Sequence, residues 1–303
     1  MTGLRAVRPR PVRLTRRRGG VPVALLLAPA LTVVVVFFLG GISYAVAQSL
    51  GYQPFIGRHE LGLAAYRDLA GDPAVRASFI LTLRVALLGT AIAAVLGTSL
   101  ALLVHRLGRG RRWAITMAQA NLAVPHLVGA LAIGLLLSQT GLIARLAHAA
   151  GFVGAPRDFP GLISDQYGIG IVAEYVWKET PFLTLLALNA LGRGTAQLGD
   201  AARVLGARPW QRLRHVTIPA VLPPLAAGSV LVFAFAVGSY EVPYLLGRPY
   251  PATLPVVAYQ YHTDVDLTYR AEAMAIAVLI TALSVTALLA FLGLLGRIAR
   301  RPA

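Results

Sequence analysis

The chain has 303 residues, of which 57% are hydrophobic, and it contains no cysteine. That much apolar sequence exceeds what a single soluble core of this length can bury, and it fits several membrane-spanning helices of about 20 apolar residues each. The absence of cysteine excludes disulfides, thiol redox chemistry and cysteine-ligated metals. A net charge of +16 would indicate nucleic-acid binding in a soluble chain, but the placement of the charges argues against it.

Six long apolar runs predict six transmembrane helices. Because backbone polar groups inside lipid must be satisfied within their own segment, we expect helices and an all-α, polytopic fold. Asn121, Pro125 and His126 interrupt the third run, which indicates a break in that helix. The predicted spans are Val21–Val46, Ala77–Val104, Trp113–Ser138, Ile169–Leu191, Leu225–Leu246 and Ala271–Leu295.

The positive charges favour one side of this topology. Arginines are concentrated in the N-terminal tail, in the segments 106–112 and 193–214, and at the C-terminus, which all fall on the same side if six spans alternate. The positive-inside rule places this side, and both termini, in the cytoplasm. We therefore expect a cytoplasmic basic tail at residues 1–20, with anionic lipid rather than nucleic acid as its contact, and a transmembrane domain at residues 21–303.

The loop between the fourth and fifth predicted spans carries signals for a short helix that ends in a tight turn. Thr195 is a good N-cap for a helix that ends at Leu205. Gly206 then occupies the position after a helix where the backbone commonly adopts a positive φ, which glycine tolerates best.

A second helix is expected directly after this turn. Pro209 suits its first turn, where the missing N–H costs nothing, and the helix should end near Thr217, before Pro219. The physical pattern alone leaves two interpretations of the loop open. It is either a docking surface on the cytoplasmic side or a plain amphipathic connector lying on the membrane.

The same loop resembles the EAA loop of ABC importer permeases. The family pattern is Glu-Ala-Ala, then a glycine, then a hydrophobic residue followed by proline. The resemblance covers residues 77–295, with the first span as an added helix, and implies a type I ABC importer permease in the bacterial inner (plasma) membrane. In that family the loop, here residues 192–219, docks in a cleft on the ATPase subunit. The matching residues are Asp200, Ala201, Ala202, Gly206, Pro209, Ile218 and Pro219.

The sequence departs from the family pattern at two positions in this loop. Asp200 replaces the usual glutamate, which keeps the charge and shortens its reach by one methylene. Arg208 stands where many members have serine or threonine, so a helix cap of about 1 kcal/mol is lost.

The resemblance also implies partners. ATP hydrolysis needs the P-loop pattern G-x-x-x-x-G-K-[ST], in which a glycine precedes the lysine. The only lysine of this chain, Lys178, follows Trp177, so the sequence contains no P-loop. We therefore expect no enzymatic activity and no cofactor in this chain. The expected partners are separate ABC ATPase subunits, a second permease that is either a copy or a homologue, a periplasmic or lipid-anchored solute-binding protein, and the lipid bilayer.

The segment Val237–Gly247 (VGSYEVPYLLG) bears on the solute. It resembles the end of the fifth span in permeases for polyamines, iron, thiamine and related solutes. Together with the acidic residues of the spans, this favours a small cation such as a polyamine, and iron, thiamine, sulfate and opine-like solutes remain open.

Ionisable residues within spans are costly and therefore indicate either a solute pathway or a buried pair. Glu174 and Lys178 are four residues apart on one helix, in the favourable order for an ion pair. Glu241 and Tyr240 lie beside Pro243, which frees a backbone carbonyl, so they could line a cavity for a cation. Alternatively, Glu241 bonds a neighbouring helix or faces the outer water. His126 is expected to form a hydrogen bond between packed helices.

Two function classes other than transport fit the sequence less well. A membrane-embedded enzyme needs a convergent acid, base or nucleophile constellation, and the spans offer none beyond their few charged residues, so no catalytic residue is predicted. Metal-ligand spacing such as H-E-x-x-H is also missing. A purely structural scaffold would not need the docking loop.

Overall fold

The computed structural model describes residues 23–107 and 110–299. The predicted basic tail at residues 1–20 lies outside the described residues. Within them the secondary structure is helical and contains no β-strand, which confirms the predicted all-α fold. The α-helices are α1 Val23–Val34, α2 Gly40–Ser49, α3 Ala64–Gly71, α4 Pro73–Arg106, α5 Arg111–Ala123, α6 His126–Leu137, α7 Leu142–Ala149, α8 Ile169–Ala190, α9 Arg193–Val204, α10 Pro209–Arg212, α11 Ile218–Gly238, α12 Glu241–Leu246, α13 Leu254–His262 and α14 Arg270–Ala299.

The described chain falls into two units, the first ending at Tyr44 and the second beginning at Ala45. The first contains α1, a π-helical segment at Val35–Leu39 and the start of α2. Its large apolar side chains are exposed, as expected for a helix surrounded by lipid; Phe37, for example, is 76% exposed.

Five helical stretches among the described residues are long and apolar enough to cross a membrane. They are Leu26–Ser49, Pro73–Arg106, His126–Ala149, Pro209–Gly238 and Leu267–Gly293. The fourth predicted span corresponds to α8, which has 22 residues but carries Glu174, Lys178 and Glu179. At 1.5 Å per residue, α8 is still about 33 Å long, which is enough to span the hydrocarbon core.

The core of the second unit is built around the α4–α8 pair. Small residues recur every three or four positions along one face of α4, which lets the two backbones approach closely. A Cβ added at Gly97 would lie 2.9 Å from Leu183 Cβ, and one at Gly89 would lie 3.2 Å from Tyr175 Cβ. The small residues of this face are Ala86, Gly89, Ala93, Gly97 and Ala101.

The predicted break in the third run is confirmed. Helix α5 ends at Ala123, Val124 and Pro125 have extended backbone, and α6 begins at His126. The stretch that can cross the membrane therefore begins at His126, rather than at Trp113 as predicted, because proline cannot donate the hydrogen bond that would continue α5.

The fifth predicted run is also interrupted, near its end. Helix α11 ends at Gly238, Ser239 has extended backbone, and the short helix α12 begins at Glu241. Helix α12 packs on α6 and α8. Further along the chain, the backbone N–H of Leu254 at the start of α13 donates to Thr82 Oγ1 on α4 at 2.8 Å, a buried bond that ties this segment to the core.

Candidate functional site

The first candidate site is the elbow, defined as residues 192–219 between α8 and α11. Its first helix, α9, begins at Arg193 with Gly192 as the N-cap residue, so the predicted N-cap role of Thr195 is wrong. The Thr195 hydroxyl instead donates to the Ala190 carbonyl at 2.8 Å, which ties α9 to the end of α8. Helix α9 thus starts two residues earlier than predicted, and the Thr195 hydroxyl bonds the end of the preceding helix instead of capping α9.

Gly206 has the predicted positive φ, at +82°. The N–H of Gly206 donates to the Arg203 carbonyl at 3.0 Å, and the N–H of Ala207 donates to the Ala202 carbonyl at 2.9 Å. This is the paired hydrogen-bond pattern that closes many helix ends on a left-handed glycine. A Cβ at Gly206 would meet nothing within 4 Å, so the constraint on this residue is conformational.

The second helix of the elbow has a cap that the sequence reasoning missed. Pro209 occupies the first turn of α10, as predicted. Gln211 Oε1 accepts a hydrogen bond from the Arg208 N–H at 2.7 Å, so a side chain satisfies this backbone donor although residue 208 is not serine or threonine. Gln211 stands three residues after the N-cap position, which is the spacing of a capping box and was the available signal.

The predicted stop of this helix before Pro219 is wrong. A π-helical segment at Leu213–Thr217 joins α10 to α11, and the helical path continues through Ile218 and Pro219 to Gly238. Pro219 lies in the first turn of α11, directly after this π-helical segment, and Pro223 and Pro224 lie within the same helix. The elbow is therefore connected by one helical path to a membrane-spanning helix.

Exposed apolar residues cover the outer surface of the elbow. Val204 and Leu205 are both 87% exposed beside the Gly206 turn, and Leu198 and Trp210 are also exposed. Asp200 forms an ion pair with Arg203 at 2.8 Å one turn along α9. Large apolar side chains clustered on a polar loop mark an interaction surface.

The second candidate site is a group of ionisable side chains where α8 meets the α5–α6 break. The predicted Glu174–Lys178 ion pair is not among the ion pairs of the described residues. Lys178 Nζ instead donates to the Asn121 carbonyl at 2.7 Å and to the Leu122 carbonyl at 3.2 Å. Pro125 has no N–H to bond the Asn121 carbonyl four residues earlier. That carbonyl accepts from the Val124 N–H at 3.1 Å instead, and the lysine is its second donor.

His126 lies between two carboxylates of α8. Its Nδ1 is 3.2 Å from Glu174 Oε1, and its Nε2 is 3.5 Å from Glu179 Oε1. The shorter contact is a hydrogen bond between the imidazole and the Glu174 carboxyl group. This confirms the expected role of His126 between packed helices, and Glu179 adds a second contact that the sequence analysis did not predict.

A cavity of about 460 Å³ opens beside this charged group. Glu174 lies behind the cavity and is 0% exposed, and Lys178 is 5% exposed. The ring of Phe235 on α11 lies 4.5 Å from the ring of His126, measured between centroids. The lining residues are Leu122, Ala123, Val124, Pro125, His126, Lys178, Glu179, Phe182, Leu231, Val232 and Phe235.

Glu241 and Tyr240 do not line this cavity, so the structure brings together only two of the four predicted pathway residues. Glu241 is exposed at the start of α12. The ring of Tyr240 stacks on Tyr244, with centroids 5.1 Å apart, and contacts Tyr259 at 4.7 Å. Among the described residues, no three metal-ligating side chains come close enough together to hold a metal ion.

A helical membrane core with a charged break and an exposed elbow fits a transport protein, and comparison with known proteins identifies the class. The chain belongs to the family of the binding-protein-dependent transport system inner membrane component, whose model matches residues 74–301. It is therefore an inner-membrane permease component of an ABC importer, and a multi-pass membrane protein.

Individual relatives are permeases whose names give different solutes or none. The trehalose/maltose transport system permease protein MalF of Thermococcus litoralis is 27% identical over 251 residues, which cover 78% of this chain and 82% of the relative. The inner membrane ABC transporter permease protein YdcU of Escherichia coli is 32% identical over 201 residues, covering 63% of each chain. The putrescine transport system permease protein PotI of Escherichia coli is 26% identical over 217 residues, covering 71% of this chain and 70% of the relative.

A solved structure has the same fold. In the crystal structure of a bacterial alginate ABC transporter in complex with an alginate pentasaccharide-bound periplasmic protein, one chain matches with a TM-score of 0.77. The match covers 93% of this chain and 96% of that chain at 18% sequence identity, so it shows the fold alone.

Proposed function

We propose that this permease is driven by a separate ATPase subunit that docks on the elbow. The observation that carries this proposal is the elbow itself, in which a glycine at φ +82° turns the chain between two short helices. Val204 and Leu205, both 87% exposed directly before this turn, supply the apolar surface that a partner would cover. The departure at Asp200 is compatible with docking, because its carboxylate stays at the surface.

The continuous helical path from the elbow into α11 supports a mechanical role. A force applied at Gly206 passes along α10 and the π-helical segment Leu213–Thr217 to a helix that crosses the membrane. ATP binding would close the ATPase pair, move the elbows and switch the helices between inward-open and outward-open arrangements. Coupling requires an element that can adopt two arrangements. We assign this role to the π-helical segment, which joins two α-helical stretches.

The proposed assembly contains more than this chain. It comprises two permeases, either two copies or this chain with a homologue, two ATPase subunits and an external solute-binding protein. The orientation follows from the arginine distribution, with both termini and the elbow in the cytoplasm. The alginate transporter with a similar fold has a periplasmic protein bound, which supports a partner of that kind.

For the solute, we propose a small organic cation of the polyamine class. The names of the relatives include both a sugar and putrescine, so they do not separate solute classes. The charged residues favour a cation, because two carboxylates, Glu174 and Glu179, lie near the cavity beside a single lysine. Iron, thiamine, sulfate and opine-like solutes are the alternatives.

The docking proposal is tested by copurification of the ATPase with elbow variants. Gly206→Asp forces a side chain into the left-handed region, at a cost of about 1–2 kcal/mol, and adds bulk at the tip of the elbow. Asp200→Arg reverses the charge beside Arg203. Both variants should insert into the membrane, retain little ATPase and lose uptake.

Gly194→Asp is the matched control. Gly194 lies in the first turn of α9, where a Cβ would meet nothing within 4 Å and a carboxylate is favoured by the helix dipole. This variant should retain the ATPase. Normal copurification with Gly206→Asp and Asp200→Arg, at equal membrane levels, would mean that the elbow is only a connector.

A further inference from the structure

The cavity beside the α5–α6 break has an unbalanced set of charges. Two carboxylates, Glu174 and Glu179, approach His126 from α8, and Lys178 is the one permanently charged cation on the described part of the cavity wall. With both carboxylates ionised and His126 neutral, the group has one negative charge in excess. Burial of an uncompensated charge is costly, so a balancing positive charge is strongly favoured there.

Lys178 is not free to receive an anion. Its ammonium group donates to the carbonyls of Asn121 and Leu122, and the side chain is 5% exposed. The two helix ends that meet at the break have opposite partial charges, the carboxyl end of α5 and the amino end of α6, so their dipoles largely cancel. The excess charge of the carboxylates therefore makes the site negative, which favours a cation as its ligand.

Other ionisable groups near these helices do not change this balance. Tyr175, also buried on α8, carries a phenol that is neutral near pH 7. Arg111 and Arg112 lie at the opposite end of α5, and Glu241 on α12 is exposed and does not line the cavity. Helix α11 contributes apolar and aromatic residues and has no ionisable side chain between Ile218 and Gly238.

Two chemical groups can supply the missing positive charge. One is a proton on His126, which gives both ring nitrogens an N–H to donate, one towards Glu174 and one towards Glu179. The other is a cationic group of the solute, which would contact Glu179 and the aromatic ring of Phe235, since rings attract cations over their faces. Phe182 adds a second ring to the lining.

We propose that the cavity binds the positively charged group of a small organic amine, and that this group and a proton on His126 compete for the same carboxylates. The inference rests on the proposed function, because it assigns the solute class of that permease. The cavity volume of about 460 Å³ suits a small ligand. A proton on His126 and the amine would be stabilised by the same two carboxylates, so solute contact becomes dependent on pH.

The test is calorimetric titration of the full-length purified chain in nanodiscs. The probes are butylammonium, its neutral counterpart 1-butanol, putrescine, and sulfate as the anion. Butylammonium and putrescine should bind, and 1-butanol and sulfate should not. The affinity for butylammonium should fall between about pH 8 and about pH 5.5, because protons and the cation compete for the same carboxylates.

Variants separate the two halves of the proposal. Glu179→Gln should weaken butylammonium binding by about tenfold or more, because a charged contact is lost. His126→Gln cannot be protonated, so it should still bind the cation and lose the pH dependence. Glu60→Gln, which removes an exposed carboxylate lining a different cavity, should behave like the wild type. If Glu179→Gln does not fold, Glu179→Asp and the pH profile of His126→Gln provide the same test.

Several results would overturn the inference. Binding of 1-butanol as strong as that of butylammonium, a preference for sulfate, no binding of any probe, or an unchanged pH profile in His126→Gln would each do so. Calorimetry of the chain alone does not involve the ATPase. Failure of these titrations is therefore distinguishable from failure of the docking proposal, which is judged by copurification.

Discussion

Replacing Lys178 by methionine is the sharpest test of how the α5–α6 break is held. The substitution keeps the length and apolar stem of the side chain and removes the ammonium group. Two carbonyls, those of Asn121 and Leu122, then lose the donor that lies 2.7 and 3.2 Å away. The fully buried Glu174 also loses the nearest permanent cation on its own helix.

The expected cost follows from these contacts. Removing a charged donor from buried backbone carbonyls typically costs about 1.5–3 kcal/mol, because the hydrogen bonds to the charged group are lost. Replacing Pro125 by alanine should partly rescue the loss. Residue 125 would then have an N–H for the Asn121 carbonyl, which otherwise keeps only the Val124 N–H at 3.1 Å, and this added donor recovers about 1 kcal/mol.

The assay is a double-mutant cycle on the free energy of unfolding, measured in mixed micelles with Lys178→Met, Pro125→Ala and the double variant. The double variant should be destabilised by about 1 kcal/mol less than the sum of the single variants. Additivity within about 0.3–0.5 kcal/mol would refute the reasoning that Lys178 replaces the N–H that Pro125 lacks. Arg84→Met is the control, since Arg84 also lies in a span but contacts the ring of Tyr167, a contact worth about 1 kcal/mol.

Three further predictions concern packing, the elbow and topology. Gly97→Ala should destabilise the protein by about 1–3 kcal/mol in the same unfolding assay, because the added Cβ lies 2.9 Å from Leu183 Cβ, whereas Gly71→Ala, which meets nothing within 4 Å, should not. Gln211→Ala removes the cap of α10, worth about 1 kcal/mol, so it should reduce ATPase copurification less than Gly206→Asp does. A topology reporter at the C-terminus should be active only as a cytoplasmic fusion and one near Pro156 only as a periplasmic insertion; the reverse at either site would contradict the six-span topology.

Features that depend on a few neighbouring residues were predictable from the sequence. The break at Pro125 follows from a missing N–H, and the positive φ of Gly206 follows from its place after a helix end. The spans could be predicted from the length of the apolar runs alone. Helix α8 is also long enough to span the membrane, although it carries three charged residues.

Features that depend on which helices pack together were not predictable in the same way. The i,i+4 spacing of Glu174 and Lys178 suggested an ion pair within α8, but the tertiary fold gave each residue a partner on another helix. The continuation of the helix through Pro219 depends on a π-helical turn, for which the sequence pattern gives no clear signal. Packing thus overrode the local preference of Glu174 and Lys178 for each other.

The most direct test of the central claim is site-specific cross-linking at the elbow in native membranes. The chain has no cysteine, so Leu205→Cys introduces a single reactive thiol at a position whose native side chain is 87% exposed. Leu61→Cys, at an exposed position in the segment between the first two predicted spans, is the matched control. The account predicts that a cross-linker on residue 205 captures a subunit that carries the P-loop sequence and binds ATP, and that residue 61 does not. Capture of that subunit from residue 61, or its absence at residue 205 while it copurifies with the chain, would contradict the account.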